Sequence, residues 1–219
     1  MIEVYDSHEQ SERVKGWLRE NGGAIVLGLV LAFGGLFGFK QWQLWVQSQH
    51  RQASAEYDVM VQLLGAGNLD AAVANYETLR TEFGDSAYVG MAALHMARAR
   101  LEAGQKDLAA QLLEQAMRNG RPQPVTIVAR VRLARLKVDQ GDEDGALELI
   151  RSAPQATGFE AAFAEIEGDI HKARNEPGLA LEAYRQALAA LEEGAGNRLL
   201  LEMKIESLAG IAGATDDAT

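Results

Sequence analysis

The chain divides into one unbroken apolar run and a much longer stretch of helical alternation. Residues 22–39 read GGAIVLGLVLAFGGLFGF, eighteen positions without a charge, an amide or a hydroxyl. At a rise of 1.5 Å per residue, a helix of that length spans roughly 27 Å, close to the hydrocarbon core of a bilayer. Six of the eighteen are glycine, which weakens a helix in water. In lipid the backbone has no water to bond to, and glycine is tolerated in the helix that results. Beyond residue 40 apolar positions recur at helical spacing, and no strand-like alternation of note competes. The spacing predicts A helices near 46–66, 86–103, 124–140 and 159–174. B helices are expected near 69–82, 107–119, 144–152 and 178–192. A last amphipathic helix over 198–211, with Leu199, Leu200, Met203, Ile205 and Leu208, would cover the final open face. The expected fold class is all-α.

The flanks of the apolar run fit a membrane interface. Trp17 and Arg19 stand before it, and Lys40, Trp42 and Trp45 stand after it. A buried core helix of this length usually shows a polar edge, which is absent here. A cleaved signal has an apolar stretch of about 7–15 residues ending in small residues. This run is longer and leads into the bulky FKQWQLW, so an uncleaved anchor is expected. Arg13, Lys15 and Arg19 on the N-terminal side outnumber Lys40 and Arg51, which favours an inside N-terminus. The expected organisation is a cytoplasmic tail over 1–21, a transmembrane anchor over 22–39, a domain over 40–212 and a disordered acidic tail over 213–219. Within the anchor, Ala24, Gly28, Ala32 and Gly35 share one face, and Gly34 and Gly38 form a G-x-x-x-G pair beside it. Small residues let helices pack closely in lipid, so this face is a candidate surface for a membrane partner.

The rest of the chain repeats. Four turn segments, 67–72 (GNLDAA), 104–109 (GQKDLA), 141–146 (DEDGA after Gly141) and 175–180 (NEPGLA), begin at intervals of 37, 37 and 34 residues. Gly or Asn suits a helix end that turns through a left-handed conformation, and Asp70, Asp107 and Asp144 are expected to cap the helices that follow. The period is that of a helix–turn–helix repeat. Gly168, Ala180, Tyr184 and Ala187 fall where the tetratricopeptide pattern has a small residue, an Ala, an aromatic and an Ala. Ala97, Ala109, Leu113 and Ala116 match in the second unit, Ala134 and Ala146 in the third, and Ala72 and Tyr76 in the first. The Trp and closing Pro of that pattern are absent. The array therefore resembles a degenerate tetratricopeptide-like (TPR-like) α-solenoid of about four helix pairs, with an unrelated helical bundle as the alternative.

Charge and chemistry narrow the function. The chain carries −10 overall; residues 1–21 hold three basic and five acidic side chains and Lys40 adds one positive charge, which leaves −9 beyond the anchor. An acidic domain lacks the clustered cations that phosphate binding needs, so nucleic acid is not an expected partner. With no cysteine there is no disulfide, no thiolate metal site and no cysteine nucleophile. His8, His50, His95 and His171 have no partner at metal-ligand spacing, and no catalytic motif occurs, so no catalytic residue, metal or cofactor is expected. Glu192 and Glu193, like Asp216 and Asp217, read as solvated charge. What remains is binding along the A helices. Arg98, Arg135 and Asp169 occupy one repeating position, and Leu94, Val131 and Glu165 another, with Tyr57 in the first repeat. They form either a mixed groove for a peptide or ordinary exposed and inter-repeat positions.

A more specific resemblance is carried by residues 3–42. Glu3-Val4-Tyr5, Glu12-Arg13-Val14-Lys15-Gly16-Trp17 and Asn21-Gly22, followed by Gly28, Gly34, Gly38, Lys40 and Trp42, resemble the N-terminus of the YfgM-type ancillary subunit of the bacterial Sec translocon. Phe39, Gln41 and Ala32 depart from that pattern. The resemblance implies an inner-membrane protein with a periplasmic TPR-like domain, associated with Sec membrane subunits and with periplasmic chaperones or client polypeptides. It brings no catalytic residues. The alternative is a scaffold or regulator of other envelope machinery, acting partly through the tail face of Val14, Trp17 and Leu18.

Overall fold

Four turns set the architecture, and all four are built alike. The computed structural model describes residues 7–154, 158–191 and 198–216, which form only helices. They are α1 (Ser7–Gly65), α2 (Leu69–Glu82), α3 (Ala87–Glu102), α4 (Lys106–Asn119), α5 (Gln123–Asp139), α6 (Glu143–Arg151), α7 (Glu160–Ala173), α8 (Pro177–Ala190) and α9 (Arg198–Asp216). Gly67, Gly104, Gly141 and Asn175 take positive φ values of 73°, 73°, 77° and 60°. At each, the turn residue and its successor donate back into the preceding helix. Gly104 N–H reaches the Leu101 carbonyl at 2.9 Å and Gln105 N–H the Arg100 carbonyl at 2.8 Å. This is the Schellman arrangement, which satisfies carbonyls that the helix end leaves free.

The successor residue also starts the next helix. Asn68 accepts from Ala71 N–H and Asp142 from Gly145 N–H, while Gln105 and Glu176 make no side-chain cap. Asp70, Asp107 and Asp144 were expected as these caps, and the structure places each two residues past the cap, inside the helix. The physical reason is the brevity of the turn. One residue follows the left-handed position before helix resumes, so the cap falls there and the Asp carboxylates instead face the helix dipole. Asp144 pairs with Arg174 of the following repeat.

Helix packing follows the small-residue pattern. Ala72, Tyr76, Ala97, Ala109, Leu113, Ala116, Ala134, Ala146, Ala180, Tyr184 and Ala187 are all buried. The core runs along the array as three successive clusters. The first joins the end of α1 to α5, the second joins α5 to α7, and the third joins α8 to α9. Each helix pair thus buries its apolar face chiefly against its neighbours, as stacked repeats do. α9 closes the last cluster with Leu201 and Leu208, which is the capping role expected of it. It continues as helix to Asp216, into the stretch expected to lack structure; residues 217–219 and Glu192–Glu193 lie outside the described residues.

The chain forms two units, Met1–Gln52 and Ala53–Thr219. In the first, α1 includes the one helix among the described residues that is long and apolar enough to cross a membrane. Its large apolar side chains stand in the open, Phe33 at 69% and Phe37 at 72% exposure. Leaving that much apolar surface in water is unfavourable by roughly 25 cal/mol per Å², which lipid would remove. The last turns of α1, from Ala53, belong to the second unit and supply Ala53 and Met60 to its core.

Candidate functional site

Two surfaces carry the candidate residues. On α1, Ala24, Gly28, Ala32, Gly34, Gly35 and Gly38 are all exposed, and a methyl group added at any of the four glycines would meet nothing within 4 Å. Nothing among the described residues therefore calls for a small residue at these glycines. Trp17, Arg19, Lys40, Trp42 and Trp45 are exposed on either side, with the Phe39 and Trp42 rings 6.1 Å apart.

The second surface lies along the A helices α3, α5 and α7. Of the residues expected there, Leu94 and Val131 are buried at 9% and 6% exposure and pack in the core, so they present little to a ligand. Tyr57 packs its ring against Tyr88 at 5.5 Å and edge-on to His95 at 5.8 Å. Arg98 and Arg135 are exposed, and Glu165 and Asp169 are half-buried.

The structure joins three of these positions, Arg135, Glu165 and Asp169, through a residue the sequence did not single out, Lys204 on α9. Its ammonium lies 2.8 Å from Glu165 Oε1 and 2.7 and 3.0 Å from the two Asp169 oxygens. Arg135 donates to the other Glu165 oxygen at 2.8 Å, and the Tyr184 hydroxyl donates to Asp169 at 2.7 Å. Lys204 also sits 5.1 Å from the centre of the Tyr184 ring. Burial works to raise the Glu165 pKa, but the hydrogen bond and charge of Lys204, and then those of Arg135, hold it below the usual value. Burial pushes the Tyr184 phenol upward, and the adjacent Asp169 carboxylate adds to the effect. These side chains edge a groove of ≈ 930 Å³ between α5, α7 and α9, floored by Ala162, Ile166 and Leu201. The only sequence signal for Lys204 is a lysine set between Met203 and Ile205 on an apolar helix.

Further along the same row the charge reverses. A smaller groove of ≈ 390 Å³ is edged by Arg98, Arg132, Arg135 and Asp139, the last paired with Lys106, over Leu101 and Leu136. Arg132 donates to the Leu94 carbonyl across the α3–α5 contact at 3.4 Å. Burial, and then the positive charges of Arg98 and Arg135, lower its pKa. Among the described residues no group of three or more His, Asp or Glu side chains converges as a metal site.

Known proteins give this geometry its relatives. The family described as "Tetratricopeptide repeat-like domain" matches residues 15–210. Three curated proteins named "Ancillary SecYEG translocon subunit" align over nearly the whole chain. That of Haemophilus influenzae is 28% identical over 94% of this chain and 100% of its own length. That of Escherichia coli is 26% identical, over 94% and 99%, and that of Neisseria gonorrhoeae 24% identical, over 93% and 97%. Among solved structures, the TPR-like repeats of a kinesin light chain from Podosopora anserina superpose with a TM-score of 0.54 at 18% identity, covering 76% of this chain and 89% of that one. MamA from Desulfovibrio magneticus gives 0.52 at 13% identity, over 75% and 93%. At such identities the structural likeness concerns the fold alone. The resemblance to YfgM-type proteins seen in residues 3–42 thus extends along the chain, and the chain belongs to the tetratricopeptide repeat-like domain family.

Proposed function

We propose, from this family membership, that the chain is a non-enzymatic inner-membrane adaptor of the Sec protein translocon. The observation that carries the reading is that relatives named as translocon subunits align across both the apolar helix and the repeats, not across the repeats alone. In this reading residues 22–39 span the membrane, the N-terminus is cytoplasmic and the repeat domain is periplasmic. Trp17, Arg19, Lys40, Trp42 and Trp45 hold the helix at the two interfaces. The exposed face of Ala24, Gly28, Ala32 and Gly35, with Gly34 and Gly38 beside it, packs against translocon membrane subunits, because small residues permit close backbone approach where hydrophobicity supplies no drive. The groove of Arg98, Arg135, Glu165 and Asp169 holds a segment of a chaperone or an emerging secretory protein.

Recovery with the protein from mild detergent tests the association. The Sec channel should co-purify, and Gly28→Leu or Gly34→Leu should weaken its recovery while leaving insertion intact. Loss of the channel under conditions that retain other membrane partners would sink the adaptor in favour of a regulator acting through Val14, Trp17 and Leu18, which are exposed on one face of α1. Orientation is tested separately. Gln105 is exposed in a turn, and a cysteine placed there would be the only thiol. A membrane-impermeant maleimide should label it in intact spheroplasts; labelling only after lysis would reverse the topology.

A further inference from the structure

The two ends of the A-helix row differ in what answers their charge. At the α7 end, Glu165 and Asp169 are met by Lys204, and Leu201 of the same helix completes the apolar floor beside them. There the chain itself shows what the row accepts, namely an amphipathic segment whose charge opposes that of the rim. At the α3–α5 end the rim holds three arginines against Asp139, which is already paired with Lys106, and among the described residues no such segment lies on it. Among the described residues Arg98 pairs with Glu102 on its own helix alone, with both side chains more than 60% exposed. Such an exposed pair contributes little and yields readily to a better anion. Arg135 shares Glu165 with Lys204. Arg132 has the Leu94 carbonyl at 3.4 Å and no carboxylate partner among the described residues. Guanidinium groups do not shed their protons, so Arg132, which alone of the three lacks a carboxylate partner among the described residues, is relieved only by an anion.

The floor sets the rest of the ligand's chemistry. Leu101 is 38% exposed, and Leu136 and the buried Leu113 continue the surface beneath it. A free phosphate, or a polyanion without apolar groups, would leave that floor wet. We infer that Arg98, Arg132 and Arg135 bind a polypeptide segment that presents carboxylate side chains beside aliphatic ones. The carboxylates take the planar guanidinium forks, and the aliphatic side chains cover Leu101 and Leu136. This deepens the adaptor reading by specifying the sequence character of the segment the groove holds, and it rests on that reading for its biological setting.

The test uses the full chain in detergent micelles and fluorescence anisotropy of two labelled probes, a short peptide of alternating Glu and Leu and its Lys–Leu counterpart. The Glu–Leu peptide should bind, and its affinity should fall as salt rises. Arg132→Gln should weaken it by roughly tenfold, since one charge-assisted contact is lost. Arg98→Gln, at an exposed position, should weaken it to a lesser degree with an unchanged helical circular dichroism spectrum. Equal binding of the Lys–Leu peptide, or undiminished binding by both variants, overturns the assignment. Sec recovered in the pull-down with no Glu–Leu peptide binding overturns the groove assignment alone. Peptide binding without Sec recovery overturns the adaptor reading and leaves the groove assignment standing.

Discussion

The first and fourth repeats place a tyrosine at the same position, nine residues after the turn, and treat its hydroxyl in opposite ways. Tyr184 donates to Asp169 at 2.7 Å, and Asp169 is held in turn by Lys204. Tyr76 is equally buried, at 2% exposure, yet its hydroxyl has no partner among the described residues. Burial pushes its pKa up to about 12. The cause lies in the register of the preceding helix. Six residues before the turn, the fourth repeat has Asp169 and the first has Val61. Seven residues before it, the fourth has Gly168 and the first has Met60, fully buried. A Cβ at Gly168 would overlap the Tyr184 ring. The same two-helix unit is therefore filled by methionine at one end and by an aromatic ring lying on bare backbone at the other. A repeat fixes where a side chain goes, while its neighbours decide what that costs.

The largest effect should come from breaking the close approach in the fourth repeat. Gly168→Val forces the Tyr184 ring out of place and should cost about 3 kcal/mol of stability, read by urea unfolding in micelles. Pairing Gly168→Ala with Tyr184→Leu copies the Ala97 and Leu113 combination of the second repeat and should recover part of that loss. Next in size is the hydroxyl itself. Tyr184→Phe removes the donor to Asp169 and should cost about 1–2 kcal/mol, whereas Tyr76→Phe removes an unpaired buried hydroxyl and should leave the melting temperature unchanged or raise it. Opposite signs would confirm the difference between the two ends; a loss at both would show that Tyr76 has a partner.

Acid sharpens the comparison further. The Glu165 carboxyl is held below its ordinary value of 4.5 in the folded chain, so the unfolded chain binds its proton more readily. Its stabilising contribution is complete above that ordinary value and disappears as pH falls through the lower native one. Thermal unfolding between neutral pH and pH values below 4.5 should show this loss, and Lys204→Met should diminish it. The smallest effects belong to the turns. Gly104→Ala places a side chain at φ 73° and should cost about 1 kcal/mol, while Asn175→Gly should gain a few tenths. If both changes are neutral, the left-handed turn is not what fixes the helix ends.

Most of the fold was legible because it rests on local rules. The turn residues, the 34–37-residue interval and the alanines that proved buried are visible as spacing, since a Schellman turn and a close helix contact each demand a small set of residue types. The site was legible only in part. Leu94 and Val131 share a helical row with groove residues, but one row can point between helices or outward, and only packing decides which. Asp169 looked like a free groove carboxylate, and it is engaged by Tyr184 and Lys204. Lys204 lies 35 residues from Asp169, and no rule of local spacing links them.

The sequence by itself determined the elements: an apolar run long enough to span a bilayer, eight helices in turn-linked pairs and a ninth to close them. Those follow from hydrogen-bond needs and hydrophobic period, which act over a few residues at a time. The tertiary structure alone decided which charges meet. It brought Lys204 onto Glu165 and Asp169, drew Arg132 beside Arg98 and Arg135, and left the Tyr76 hydroxyl unpaired. Electrostatic partnership depends on distance in space and on burial, and both are set only when the repeats stack.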